Sequence, residues 1–279
     1  MNRRVIFKFF IGFLVGFILP KNRDNCTNFD SKTGFIFIAM LSTDDNIYTR
    51  AFGAKKTWAR KLSSRIRFEI FANSTKSVPD TDIIQLKNVS DYVYPPQKKS
   101  FTMLKYLSDN YLDNFEWFIR LDDDAYVNLE KLELLLRSID SREPIYMGSP
   151  GEGLHSDDFV PDEFTNFYCM GGTGVIISRA ALKLVAPRLK ECIKNLYSEH
   201  EDLELGRCFY KAGISCTQAF ETRRSLFFQA YEKDGSRASS LSGVSFKNLK
   251  QAITLHPNKD VVQNYLTHDK ILHIQCGLF

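Results

Sequence analysis

From Phe35 to Leu41 the chain reads Phe-Ile-Phe-Ile-Ala-Met-Leu, without a polar position. A continuous apolar run of that length fits a strand covered on both faces. The period then changes. Ala51, Ala54, Trp58 and Leu62 recur at helical spacing and predict an amphipathic helix over 48–62. Ile66, Phe68 and Ile70 alternate with Arg67 and Glu69, the pattern of a second strand, and Ile83 to Leu86 predicts a third. Pro95-Pro96 breaks the chain before a helix over about 100–110, with Ser100 as its N-cap. Glu116 to Leu121 is again a strand. Leu129, Leu132, Leu136 and Ile139 then form the stripe of a helix capped by Asn128.

Further along, residues 148–166 are rich in Gly, Pro, Asp and Glu and read as a long surface loop. A strand over 174–178, a helix over 179–189 and a helix over 199–212 ended by Gly213 complete the pattern. Strands alternating with helices predict an α/β fold with a mostly parallel central sheet flanked by helices. Neither a repeat nor a linker divides 35–279, so one domain is expected there.

The N-terminus differs in kind. Arg3 and Arg4 precede an apolar stretch from Val5 to Leu19 interrupted only by Lys8, and Pro20 closes it. The run from Phe9 is shorter than the about 20 residues a membrane span wants, and it fits a signal peptide's apolar region. Counted from Val5, with Lys8 snorkelling, it fits a short anchor. No small-x-small cleavage site follows, which favours an uncleaved signal-anchor over 1–20 and a polar tether over 21–34. Either reading sends the remainder across a membrane. Three Asn-x-Ser/Thr triplets, at Asn25, Asn73 and Asn88, are glycosylation acceptors in that compartment. Six cysteines without Cys-x-x-Cys spacing argue against a zinc site and make disulfides plausible, with no pairing fixed by the sequence. A net charge of +4, mixed in sign along the chain, excludes the concentrated basic stripe of a nucleic-acid binder.

Three segments carry chemistry. Asp122-Asp123-Asp124 follows the strand 116–121 directly. Adjacent carboxylates repel unless a cation lies among them, and a hard divalent ion held there keeps positions open for phosphate oxygens. A solvated acidic turn is the competing reading of the triplet alone; its place at the end of a sheet strand, where ligands collect, favours the cation. In His200-Glu201-Asp202, either carboxylate could serve as a general base, or both could complement a helix dipole. His256 before Pro257 could complete a manganese shell or form a turn. Gly171-Gly172-Thr173-Gly174 lacks the spacing of a phosphate loop, leaving a close approach to a ligand or a tight turn.

Taken in order, these segments resemble the fringe-like inverting β-1,3-glycosyltransferases. The likeness is greatest to the N-terminal, glucuronyl-transferring domain of animal chondroitin sulfate synthases, over about 35–273. It is carried by RAFGAKKTWAR, YPPQKKSF, EWFIRLDDDAYV, FYCMGGTGVIISR, HEDLELGRC and QAITLHPNK. The resemblance implies a GT-A nucleotide-sugar transferase fold, manganese and a UDP-sugar donor. It implies Asp124 and His256 as metal ligands, and Asp122 and Asp123 beside the donor's ribose and sugar. Asp202 becomes the base, with Arg50 and Trp58 on the nucleotide side. The expected reaction is β-1,3 transfer of glucuronate to N-acetylgalactosamine in a chondroitin-type glycan, in the Golgi lumen, on a type II membrane anchor. A core 1 type galactosyltransferase and a non-catalytic subunit supporting a chondroitin polymerase are the alternatives. Full synthases carry a second transferase domain that would begin where this sequence ends, so the resemblance leaves a single-activity enzyme, a subunit working with a second synthase-like partner, or a piece of a longer synthase. The loop Gly148–Gly153 departs from the family pattern. A glucuronate carboxylate needs a cation, and Lys98, Lys99, Arg120, Arg179 and Arg223 are the choices.

Overall fold

The computed structural model describes residues 33–93, 96–151, 168–217, 226–234 and 236–275. The expected anchor, most of the tether, Asn25, Cys26, Cys276, Arg223 and the loop over 152–167 lie outside the described residues.

A seven-stranded sheet organises Thr33–Phe279. Strand β1 (Gly34–Leu41) lies in its middle, parallel to β2 (Ile66–Phe71) on one side and β4 (Phe115–Asp122) on the other, and β3 (Asp82–Ile84) continues beyond β2. Past β4 come β9 (Val175–Ser178), β6 (Tyr146–Gly148) and β10 (Cys216–Thr217); β9 runs antiparallel to both β4 and β6. The sheet is therefore mostly parallel, as expected. Both faces are covered, which is why β1 is apolar throughout. Ile36, Ile38 and Met40 enter one core with Trp117, Ile119 and Leu121 of β4, while Phe37, Ala39 and Leu41 enter the other with Phe118. Period-two alternation also puts Arg120 on the face of Phe118.

Several boundaries move for local reasons. The helix expected over 48–62 is a wide turn at Ile47–Ala51 followed by α1 (Phe52–Lys56), and it stops at Thr57, whose hydroxyl donates back to Gly53 O at 2.7 Å. Trp58, released from the helix, packs edge-on to Phe68. The spacing of its apolar positions thus reported burial and not continuous helix. Helix α2 (Gln97–Tyr111) begins three residues before the expected N-cap; Ser100 sits buried inside its first turn, with its N–H on Pro96 O at 3.0 Å. Helix α3 (Leu129–Arg137) does carry its cap, Asn128 Oδ1 accepting from the Lys131 N–H. The helix expected over 179–189 ends as α4 (Arg179–Val185), because Pro187 interrupts it with a tighter turn before α5 (Leu189–Cys192). Helix α6 (Glu201–Lys211) is followed by Gly213 at φ +79°, the left-handed stop expected there.

Part of the expected surface loop is a correction. Gly148 to Gly151 is buried, with β7 (Pro150–Gly151) pairing against β8 (Tyr168–Cys169). Disulfides Cys169–Cys216 and Cys192–Cys208 pin β8 to β10 and α5 to α6. A second, three-stranded sheet sets β12 (Thr254–His256) between β5 (Tyr126–Val127) and β11 (Phe227–Gln229). No helix among the described residues is long and apolar enough to cross a membrane.

Candidate active site

Strand β4 delivers the triplet to the carboxyl edge of the sheet, and β5 begins two residues later. Because β12 pairs with β5, the chain brings His256 back beside Asp124 from 132 positions away in sequence. The Asn258 N–H closes the arrangement on Asp124 O at 2.6 Å. His256 Nε2 lies 3.2 Å from Asp124 Oδ1. Its other nitrogen, Nδ1, lies 2.7 Å from Gln229 Oε1, and Gln229 Nε2 donates to Ala230 O at 2.9 Å. The amide is thereby oriented with its oxygen toward the ring, so Nδ1 carries a proton; Nε2 donates to Asp124 while it too is protonated and is the nitrogen left to bind a cation once it is not.

Asp122, Asp124 and His256 each offer a ligand atom, and these lie within 4.8 Å of one another. Two carboxylate oxygens and a tautomer-locked imidazole fit a divalent cation. The three carboxylates of the triplet are held unequally. Burial would raise Asp124, but the His256 hydrogen bond and the charges of His256, Arg50 and Lys259 leave it below the ordinary range. Burial raises Asp122, against the pull of Arg120. Burial pushes Asp123 up to about 6, although Ser42 and Arg50 favour its ionised form. The Ser42 hydroxyl donates to Asp123 Oδ2 at 2.7 Å, and Arg50 reaches Asp123 Oδ1 at 3.2 Å and Asp124 Oδ2 at 3.9 Å. Trp58, expected beside the nucleotide, lies in the core against Phe68.

Arg120 joins the triplet to α6. Its guanidinium is buried and contacts Asp122 Oδ1 at 2.7 Å, Gly171 O at 2.9 Å and Glu201 Oε2 at 2.9 Å. Burial pushes Glu201 up to about 7 despite the opposing Arg120 charge. Glu201 is thus a buried partner of Arg120. Asp202, the other carboxylate of that pair, is partly exposed and accepts the Gly171 N–H at 3.4 Å and the Leu203 N–H at 3.0 Å. The glycine-rich segment is a tight turn, Gly174 N–H closing on Gly171 O at 2.8 Å, packed beside His256, Arg120 and Glu201. A Cβ on Gly172 would come within 2.7 Å of His256 Cε1, and one on Gly171 within 3.1 Å of Arg120 and Glu201. Two adjacent glycines therefore connect the Asp202 side to the His256 side, and a side chain at Gly172 would displace the His256 ring or the turn.

Of the cations considered for a uronate carboxylate, Arg120 and Lys99 are buried and engaged by acids. Arg179 donates to Phe115 O at the opposite end of β4. Lys98 is exposed. Gln229 and Ser42 were not singled out in the sequence. The one signal for each was a polar residue closing an apolar strand at its carboxyl end.

The fold is that of the GT-A glycosyltransferases. A solved structure of the bifunctional glycosyltransferase WbbM in its apo form superimposes with a TM-score of 0.50 at 12% identity, covering 89% of this chain and 52% of that one. In sequence, the chain is similar to animal chondroitin sulfate synthases. It is 39% identical to human chondroitin sulfate synthase 3 over 246 residues, 85% of this chain and 27% of the relative. It is 25% identical to human chondroitin sulfate glucuronyltransferase over 169 residues, 60% of this chain and 20% of that relative. Residues 188–277 match a family described as chondroitin N-acetylgalactosaminyltransferase. The chain spans about a quarter of the length of the synthases it matches.

Proposed function

We propose that this chain transfers a sugar from a UDP-sugar with inversion, forming a β-1,3 linkage in a chondroitin-type glycan. The observation that carries this reading is the convergence of Asp122, Asp124 and His256 at the sheet's carboxyl edge, with Asp202 joined to them through Gly171-Gly172. Manganese held by Asp124 and His256, with Asp122 within reach, would neutralise the charge that builds on the departing diphosphate. Asp123, fixed by Ser42 and Arg50, would accept hydroxyl hydrogens of the donor's ribose or sugar. Arg50 would lie on the nucleotide side, and Trp58 would support its segment from the core.

Asp202 would accept the proton of the acceptor hydroxyl as that oxygen attacks the anomeric carbon from the face opposite UDP. The new carbon–oxygen bond forms as the bond to the diphosphate breaks, and the bonding pair leaves on UDP. Asp202 suits this role better than Glu201 because it is partly exposed, whereas Glu201 is buried against Arg120.

Glucuronate is the proposed donor and N-acetylgalactosamine the proposed acceptor, supported by the named glucuronyltransferase relative. The matching family's description names the other sugar of the same polymer, so the donor is the first thing to test. The full chain, supplied with manganese, is assayed for UDP release from UDP-glucuronate, UDP-N-acetylgalactosamine and UDP-galactose. Acceptors are chondroitin oligosaccharides ending in either sugar and a simple N-acetylgalactosaminide. Release from UDP-glucuronate onto an N-acetylgalactosamine end is expected. Release from another donor alone would replace the sugar assignment, and release from none would remove the activity.

The Golgi lumen, on a type II anchor, is the proposed location. The two disulfides support an oxidising compartment, and Asn73 and Asn88 are exposed for glycosylation. A second, synthase-like subunit supplying the alternate sugar is the proposed partner.

A further inference from the structure

The segment Gln97-Lys98-Lys99-Ser100 has no part in the roles above, yet the first turn of α2 touches both sides of the site. Lys99 is buried, and its Nζ donates to Asp91 Oδ1 at 2.6 Å and to Ser42 O. Asp91 Oδ2 in turn accepts the N–H of Asp44 at 3.1 Å and of Asn73 at 2.8 Å. One ion pair therefore ties together the chain segments leaving β1 and β2. On the far side of the turn, Gln97 Nε2 donates to Ser198 O at 3.2 Å and Glu199 O at 2.9 Å, just ahead of α6.

The residue whose carbonyl Lys99 holds is the residue whose hydroxyl holds Asp123. A serine hydroxyl has three staggered positions, and which one points at a neighbour depends on where the main chain stands. We propose that Lys99 is a positioning residue for the donor, gripping the Ser42 main chain so that the Ser42 hydroxyl orients Asp123 toward the UDP-sugar. This rests on the functional reading above. A buried ion pair contributes little net stability beside an apolar replacement, which leaves geometry as the reason to keep one here. The same pairing takes Lys99 out of the set of cations free to receive a uronate carboxylate.

The test uses the full chain with manganese and UDP, by calorimetry, alongside steady-state kinetics with the donor established above. Lys99→Met, Ser42→Ala and their double variant are compared, with thermal unfolding followed for each. Each single variant is expected to weaken UDP binding and raise the donor KM about 10-fold, the size of one lost hydrogen bond. The turnover number should stay within about threefold, since Asp202 is untouched. The double variant should be no worse than the weaker single, because both changes act through one hydroxyl. Lys99→Met that binds UDP like the wild type, or losses that multiply in the double variant, would overturn the proposal. Should Lys99→Met fail to fold, Asp91→Asn combined with Ser42→Ala reads the same coupling. Wild-type protein that binds no UDP overturns the functional reading and this inference together; normal binding unaffected by the variants overturns this one alone.

Discussion

The Nδ1 of His256 lies 2.7 Å from Gln229 Oε1, and that contact decides which face of the imidazole is available. With Nδ1 committed to Gln229, Nε2 is the nitrogen that can give up its proton and offer a lone pair to a cation beside Asp122 and Asp124. Gln229→Leu removes the orienting partner without touching a ligand. Manganese affinity, measured by calorimetry in the presence of UDP, should fall by about 10- to 100-fold while the unfolding temperature changes little. Unchanged affinity would mean that the ring is oriented by its packing alone.

Asp124 and Asp202 should separate cleanly. Asp124→Ala removes a proposed metal ligand, and manganese-dependent UDP binding should be lost with the activity. Asp202→Asn keeps shape and removes the proton acceptor; UDP should bind as in wild type while kcat falls by roughly 100- to 10,000-fold. Full activity in either variant would refute that residue's assignment.

Gly172 faces the His256 ring so closely that a methyl group would meet Cε1 at 2.7 Å. Gly172→Ala must move the ring or the turn. The expected outcome is manganese binding weakened about 10-fold or more, at a stability cost of about 1–3 kcal/mol. Wild-type metal affinity in a folded Gly172→Ala variant would show that the turn can yield without disturbing the site.

Glu201 gives a pH dependence. Burial raises its pKa from 4.5 to about 7 in the folded protein. Between those values the folded state keeps a proton that the unfolded chain has released, so this contribution is full below about 4.5 and is lost as pH rises through about 7. Glu201→Gln should remove a decline on the order of 3 kcal/mol across that window. The readout is the difference between wild type and variant in unfolding free energy from pH 4.5 to 7.5 with chelator present, since Asp122 and Asp123 add raised carboxyls common to both. Parallel curves for the two proteins would show that the Arg120 charge offsets the burial of Glu201 and that its carboxyl is not raised.

Much of this was legible in the order of residues. The apolar run at 35–41, the alternation at 66–70 and the strand before the triplet are local patterns set by burial on a sheet, and they appear where expected. Helix ends were less legible. Thr57 and Pro187 end helices through one hydroxyl bond and one missing N–H, effects that periodicity averages away. Ser100 was a good cap by type, but it lies one turn inside α2, where the Pro96 carbonyl accepts its N–H.

By itself the sequence determined the residue types and the strand end on which the triplet stands, because strand period and carboxylate repulsion are properties of neighbours along the chain. Only the tertiary structure decided that His256 and Gln229 meet the triplet, that Glu201 faces inward and Asp202 outward, and that Lys99 is taken by Asp91. Each of those depends on which strands pair and which helix face is buried. That pairing is settled by the collective burial of two cores around one sheet, which no short stretch of sequence contains.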